Sequence, residues 1–404
     1  MRRRAVITGM GILTALGTGK EANLSGVIEG SSGIALITSF DTTGYRVRTG
    51  GEVKDPEISR PATGKLARHD RATRLLLAAA AEAMAEASVA RGLPEETPVF
   101  AGTTLGGMIG GVAYHRALMA GGRPRPALIM DYLSHLQAAH LRDRLGLKGE
   151  ISTVSNACAS GANAIGFAFK EIQSGCAEAA IAAGYDTMCE FTYAGFNSLQ
   201  ALSPTVTRPF DRDRDGLALG EGGAVFVMEE LGRAKARGAR IIAEVIGYGE
   251  STDAYHITRP DPSGAGAARA MQMAIVDAGV DPADIDYINA HGTGTPPNDS
   301  MEAAAIKTVF GPHASRVPVS STKPMTGHLL GGAGAVEAAI SIMAMNAGVL
   351  PPNLNYRTPE PGFNLNVIDR PGERAVIKTI LSNSFGFGGA NAALVIRRYG
   401  DHAS

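Results

Sequence analysis

Ile151-Ser152-Thr153-Val154-Ser155-Asn156-Ala157-Cys158-Ala159-Ser160, continuing as GANAIGFAFKEI to Ile172, is the stretch that decides how this chain folds. Residues 151–155 read as a short β segment. From Ser160 onward the residues are small or apolar, with Ala162, Ile165, Phe169 and Ile172 at helical spacing and Gly161 and Gly166 permitting close packing. A strand that turns directly into a buried helix is the building unit of an α/β protein. Cys158 stands on that turn, beside the unpaired N–H groups and positive dipole end of the helix. Such a setting favours thiolate and predicts a lowered cysteine pKa. A lone Cys is more often a buried structural residue, so Cys158 needs partners before it signifies chemistry.

Two further strand-to-loop transitions supply them. Residues 285–290 read as a strand ending at His291, followed by Gly292-Thr293-Gly294-Thr295, with a helix opening at Asp299 and capping-box spacing between Asp299 and Glu302. Residues 317–321 read as a strand feeding Thr322-Lys323-Pro324-Met325-Thr326-Gly327-His328 and another helix. A single His in such a place is usually a packing or capping residue. Two of them, with a Cys in the same kind of position, favour one shared site at the edge where strand C-termini gather.

The strings NACAS (156–160), NAHGTGT (289–295), STKPMTGH (321–328) and NSFGFGGAN (383–391) resemble the four signature blocks of the β-ketoacyl-acyl-carrier-protein synthases, most of all the elongating KAS II type. The likeness runs from AVITGMG at Ala5 to Tyr399 and includes RPFDRDRDGLALGEGGA (208–224) and DAYHITRPDPSGAGA (253–267). It implies a thiolase-like α/β fold of two similar halves layered α-β-α-β-α, and decarboxylative Claisen condensation of malonyl-acyl-carrier protein with an acyl group carried on Cys158. By the same resemblance the oxyanion donors are the backbone N–H groups of Cys158 and Phe387, and His291 and His328 are the imidazoles that hold the enolate. Lys323 precedes the second His with Glu337 as its buried partner, and Thr293 and Thr295 meet the pantetheine arm. Phe387 gates the acyl tunnel, Phe385 and Gly388 belong to the same substrate-facing block, and Asp253 to His256 form the opposing loop. With thiolate formation owed to the helix terminus, both imidazoles are expected to serve decarboxylation and to spare acyl loading.

Relatives with other chemistry fit less well. The initiating KAS III type carries Asn where this chain has His328, and thiolases carry a second Cys where it has Phe385 and Phe387. Non-catalytic chain-length subunits lack the nucleophile that Cys158 supplies. The connection Ser203-Pro204-Thr205-Val206-Thr207-Arg208 is shorter than in housekeeping KAS II enzymes and lacks a basic residue that meets the carrier. This departure resembles specialised synthases of Nod-factor or aryl-polyene pathways, possible members of a heterodimer. Lys65, Arg68, Arg71 and Arg74 form a candidate docking patch for an acidic carrier protein, or simply a solvated helix face.

Composition agrees with an enzyme of this kind. Over 404 residues, 45% hydrophobic and 19% charged, a large core is attainable and bulk disorder is not expected. A net charge of −1 argues against an electrostatic nucleic-acid binder. Cysteines at 158, 176 and 189 have no metal-ligand spacing and no disulfide framework, which points to a reducing cytoplasm. Neither an organic cofactor nor a catalytic metal is expected. Met1-Arg2-Arg3-Arg4 followed by an apolar run imitates a secretory leader, but Thr8, Gly9, Gly11 and Thr14 interrupt it and no small-x-small site follows. The alternative, a strand Ala5–Thr8 and a glycine turn, is preferred. Gly9-x-Gly11 is not read as dinucleotide-binding, because Thr14 occupies the third glycine position. No run approaches the ~18 apolar residues of a membrane helix.

The organisation suggests a diverged duplication. Ala5–Gly9 opens one half and Ile242–Gly247 the other, and each half closes on a Gly-rich β run. Residues 1–240 are expected to hold the nucleophilic Cys and 241–404 the His pair, joined by a basic helix over 232–240. Helices over 71–90 and 334–347 fall between strands, predicting mostly parallel sheets covered by helices. A homodimer is expected, with acyl-carrier protein as the partner.

Overall fold

The computed structural model of the chain describes residues 2–59, 69–89 and 92–400. The principal strands of the first half are β1 (Ala5–Thr14), β2 (Val99–Gly102), β3 (Ile151–Val154), β4 (Ala179–Asp186) and β5 (Gly222–Glu230). Those of the second are β6 (Ala243–Thr252), β7 (Tyr287–Asn289), β8 (Pro318–Ser320), β9 (Asn366–Val367), β10 (Thr379–Gly386) and β11 (Ala390–Arg397). The helices that matter here are α1 (Arg71–Ala87), α2 (Ser160–Ser174), α3 (Glu190–Ser198), α4 (Ala265–Ala278), α5 (Pro296–Phe310), α6 (Lys323–Thr326) and α7 (Ala333–Ala347).

Strand order shows the duplication directly. In the first half β2 pairs in parallel with β3 and β4, while β5 runs antiparallel between β4 and β1. In the second β7 pairs in parallel with β8 and β10, while β11 runs antiparallel between β10 and β6. The two arrays meet where Ala5 to Ile7 pair antiparallel with Val245 to Ala243. The expectation of mostly parallel sheets is therefore corrected to mixed ones. The Gly-rich closing strands β5 and β11 insert between the opening strand and the crossover strands and run against both neighbours.

Alternation along the strands builds the layers. On β5, Ala224, Phe226 and Met228 face the central core with α2 and α7, while Val225 and Val227 face the outer core with α1. On β11, Ala392, Leu394 and Ile396 join the same central core, while Ala393 and Val395 meet α4 and α5. The resulting stack is helix, sheet, helix pair, sheet, helix. Gly9 and Gly11 have a packing role, since a Cβ at either would lie 2.1 and 2.0 Å from carbonyls of Ala83 and Ala79 on α1. An 18-residue stretch, Leu330–Ala347, is long and apolar enough to cross a membrane, against the expectation that none would be. It is the buried core helix α7 and its lead-in, with Glu337 in its middle.

Candidate active site

The turn between β3 and α2 is wound tightly. Ala157 is left-handed at φ 48°, an unusual backbone for a residue with a Cβ. Ser160 Oγ fastens the turn, accepting from Asn156 N at 2.8 Å and donating to Ala157 O at 2.6 Å. The end of β10 closes over it. A Cβ at Gly386 would lie 3.0 Å from Cys158 N and 3.1 Å from Ala157 Cβ, so glycine lets residues 386–387 reach the nucleophile. Residue 387 thereby brings its backbone N–H near enough to Cys158 to favour the thiolate.

His328 Nε2 lies 3.0 Å from Cys158 Sγ, and the His291 and His328 rings meet edge-on with centroids 5.2 Å apart. Lys323, fully buried in α6, places Nζ 3.4 Å from His291 Nδ1, contacts the His291 carbonyl, and pairs with Glu337 Oε1 at 2.5 Å. The 3-10 turn Leu330–Gly332 between His328 and α7 brings Glu337 back to Lys323, which a continuous helix would not do. An ammonium donating to Nδ1 leaves the Nε2–H of His291 free to donate.

Burial sets the electrostatics. It pushes the Cys158 thiol up to about 12, although Lys323 and the Phe387 N–H pull the other way. The expected lowered cysteine pKa is thus reversed, because closure of the two halves removes the solvation a thiolate needs. Burial, then the Lys323 charge, holds both His291 and His328 well below the usual imidazole range, so the pair is neutral. A neutral His328 beside a protonated thiol is a base in place.

A cavity of about 350 Å³ opens at Cys158, lined among others by His291, His328, Thr293, Thr295, Phe385 and Phe387. Thr293 and Thr295 share a hydrogen bond of 2.9 Å. Phe387 is half-exposed and stacks on Phe196 of α3, centroids 5.6 Å apart. Asp253 lines the cavity too, but its carboxylate is engaged by Asn391 Nδ2 at 2.7 Å and Asp261 N at 3.0 Å. It braces the loop. Gly388 lies off the cavity wall, in a left-handed turn whose N–H donates to Ile257 O.

Several positioning groups escaped the sequence. Asp299 and Glu302 do not cap their helix, which opens at Pro296 instead. Glu302 accepts from His291 N and Gly292 N, both at 2.8 Å, and burial pushes it up to about 7. Asp299 accepts from Phe210 N at 2.8 Å and Gly294 N at 3.2 Å. Asp186 at the end of β4 ties Thr103, Thr104 and Leu105 to Gly331 N. Carboxylates spaced eight and eleven residues after His291 were the available signal, and the capping-box pattern concealed it.

In the short connection, Asp215 accepts from Ser203 Oγ at 2.6 Å and Thr205 Oγ1 at 2.7 Å, and Arg208 donates to Thr205. Of the candidate docking residues, Lys65 and Arg68 lie outside the described residues. Arg71 is not a docking group, because it is mostly buried against Glu221 at 2.5 Å and donates to Val53 O.

Comparison with known proteins agrees with this geometry. Residues 2–234 match the model "Beta-ketoacyl synthase, N-terminal domain" and residues 242–357 its C-terminal counterpart. The chain is 40% identical over 98% of its length to a 3-oxoacyl-[acyl-carrier-protein] synthase 2 of Synechocystis, covering 99% of that protein. Among solved structures it resembles the ishigamide ketosynthase/chain length factor, with TM-score 0.93, 38% identity, and coverage of 99% of this chain and 100% of that one. It also resembles a type II polyketide ketosynthase in complex with its acyl-carrier protein, with TM-score 0.89, 31% identity, and coverage of 98% and 100%.

Proposed function

The chain belongs to the β-ketoacyl synthase family, and from that premise we propose how its residues carry the reaction. It is an acyltransferase, a 3-oxoacyl-acyl-carrier-protein synthase. The observation that carries the assignment of roles is the cluster of Cys158, His328 and His291 in one buried pocket.

In the loading step His328 Nε2 takes the thiol proton as Sγ attacks the acyl thioester of the carrier. The oxyanion is held by the N–H groups of Cys158 and Phe387, and the departing pantetheine thiolate recovers the proton. In the second step malonyl-carrier thioester loses carbon dioxide. The enolate oxygen accepts from the Nε2–H of His291 and from His328 Nε2, which takes a proton from solvent once the first has left with the pantetheine thiol and passes it to Cys158 as that sulfur leaves. The enolate carbon then attacks the acyl carbonyl, Cys158 leaves, and 3-oxoacyl-carrier is released. Lys323 and Glu337 act on this through His291, fixing its tautomer; they are positioning residues. Phe387 against Phe196 is the gate, and Thr293 and Thr295 take the pantetheine arm.

An acyl-carrier protein is the substrate-bearing partner, supported by its presence with the related polyketide ketosynthase. A second copy, or a paralogous chain, covers the free outer edge of β3 and the exposed Leu118, Met119, Met130 and Tyr132. The division at residue 240 separates a nucleophile-bearing half from a His-bearing half, and free thiols throughout suit a cytoplasmic site. Specialised polyene or polyketide work is the second reading, favoured by the ishigamide likeness and the short 203–208 connection. Trapping of radiolabelled acyl groups on Cys158, with release of carbon dioxide from malonyl-carrier, tests the assignment. Acylation elsewhere in the chain would end it.

A further inference from the structure

Beneath the strained turn runs a hydrogen-bonded chain that the reaction scheme does not use. Asn156 Nδ2 donates to Asn163 Oδ1 at 3.2 Å. Asn163 Nδ2 in turn contacts Tyr248 OH at 2.6 Å and Glu250 Oε2 at 3.2 Å. Tyr248 OH donates to the same Glu250 oxygen at 2.5 Å. Asn163 is on α2 and Tyr248 and Glu250 are on β6, so the chain crosses from the second half to the loop that carries the nucleophile. Asn163 and Tyr248 are buried, while Glu250 reaches the surface. The approach depends on Gly166, where a Cβ would lie 2.3 Å from the Tyr248 ring.

A left-handed Ala157 persists only if its surroundings over-determine it. Ser160 fixes the turn from within, and Gly386 allows β10 to press on it from above. The Asn156 side chain is its anchor from below, and Glu250 orients that anchor through Tyr248 and Asn163. Polar networks of this kind rigidify when every member has a partner.

We propose that Glu250, Tyr248 and Asn163 are positioning residues for Cys158, holding Asn156 so that the Ala157 turn aims the sulfur and its own N–H at the incoming thioester. The inference rests on Cys158 being the acylated residue. Small displacements of reacting groups carry large rate penalties, but here the oxyanion donors are shifted and not deleted. Tyr248→Phe, which keeps the ring against Gly166, should slow acylation of Cys158 by acyl-carrier thioester about tenfold, less than loss of an oxyanion donor costs. Alkylation by iodoacetamide needs no oxyanion donor and should change less than twofold. Carbon dioxide release by a Cys158→Gln background, which relies on the His pair, should be unchanged by the added Tyr248→Phe. Glu250→Ala, at an exposed position that tolerates truncation, should reproduce the acylation defect, and Glu250→Gln, which retains an acceptor, should restore most of the rate. Acylation at the parent rate in both Tyr248→Phe and Glu250→Ala overturns the proposal, as does an equal fall in acylation, alkylation and decarboxylation. Failure of the parent protein to acylate Cys158 would overturn the underlying assignment instead.

Discussion

Cys158 and His328 form a contact whose two members cannot be understood apart. Burial holds the thiol at about 12 and the imidazole well below its usual range, so the resting pair is neutral and the proton moves only as the thioester is attacked. Raising the pH adds thiolate, so alkylation of Cys158 should keep rising through pH 9 with no plateau near neutrality. A plateau with a midpoint below 7 would instead show a preformed thiolate–imidazolium pair. The same contact separates the two histidines, contrary to the expectation that both spare loading. His328→Ala should slow loading by about 10² or more, as loss of a general base does, and impair decarboxylation too. His291→Ala, whose ring is turned to Lys323 and the cavity, should impair decarboxylation and leave loading largely intact. Single-turnover acylation and carbon dioxide release, measured separately, distinguish the two. Cys158→Ala should abolish condensation, and labelling of the exposed Cys176 in place of Cys158 would contradict the assignment. The residues of the site were legible because each ends a strand within a distinctive loop. Their protonation was not, since it follows from closure of sequence-distant segments that no local pattern records.

At the scale of elements, strands and helices were read nearly in place, and errors arose where a polar residue had two credible uses. Helix α1 was expected to run to residue 90 and stops at Ala87, with Ser88 left-handed at φ 47°. Strand β1 was expected to stop at Thr8 and continues to Thr14, because Gly9 and Gly11 are packing sites against α1 and not a turn. Glu302 looked like a cap and is instead the clamp on the His291 backbone, a use visible only once α5 folds back on β7. Arg71 looked like part of a docking face and is instead a strut. Its guanidinium joins Glu221 to Val53 O and Ile58 O, with Glu221 also accepting from Val53 N and Met188 N. Arg71→Ala should therefore destabilise the protein by about 3 kcal/mol, since it leaves a buried carboxylate unpaired. Denaturant unfolding would register this as a lower midpoint. Salt-dependent loss of carrier affinity with unchanged stability would return Arg71 to a docking role.

For the whole molecule, primer choice and assembly are the properties that the comparisons and the surface bear on. Two of the comparisons that bear on them are nearly equal, 40% identity to a 3-oxoacyl-[acyl-carrier-protein] synthase 2 and 38% to the ishigamide ketosynthase/chain length factor. Among the described residues the duplicated arrays end on β3 at one edge, and the first half also exposes Leu118, Met119, Met130 and Tyr132, two features that a second chain would cover. Expressed alone, the chain should sediment as a dimer, and if it is monomeric until a paralogous ketosynthase-like chain is added, the heterodimer reading holds. The short connection bears on the primer. Ser203 and Thr205 are tied to Asp215, which lines the Cys158 cavity, so the connection is braced against one wall of the cavity, with Arg208 drawn into the same network. With Arg71 committed internally, carrier recognition falls to other basic groups, and docking should be salt-sensitive because electrostatic contacts set encounter and partner choice. A specialised enzyme built this way should elongate polyunsaturated or aryl-terminated primers on a dedicated carrier faster than saturated primers on the housekeeping one, by about tenfold or more in kcat/KM, or roughly 1.4 kcal/mol. A panel of acyl primers on two carrier proteins at two ionic strengths measures both terms. Efficient turnover of medium-length saturated primers on the housekeeping carrier would assign the chain to ordinary fatty acid elongation and make the short connection a neutral difference.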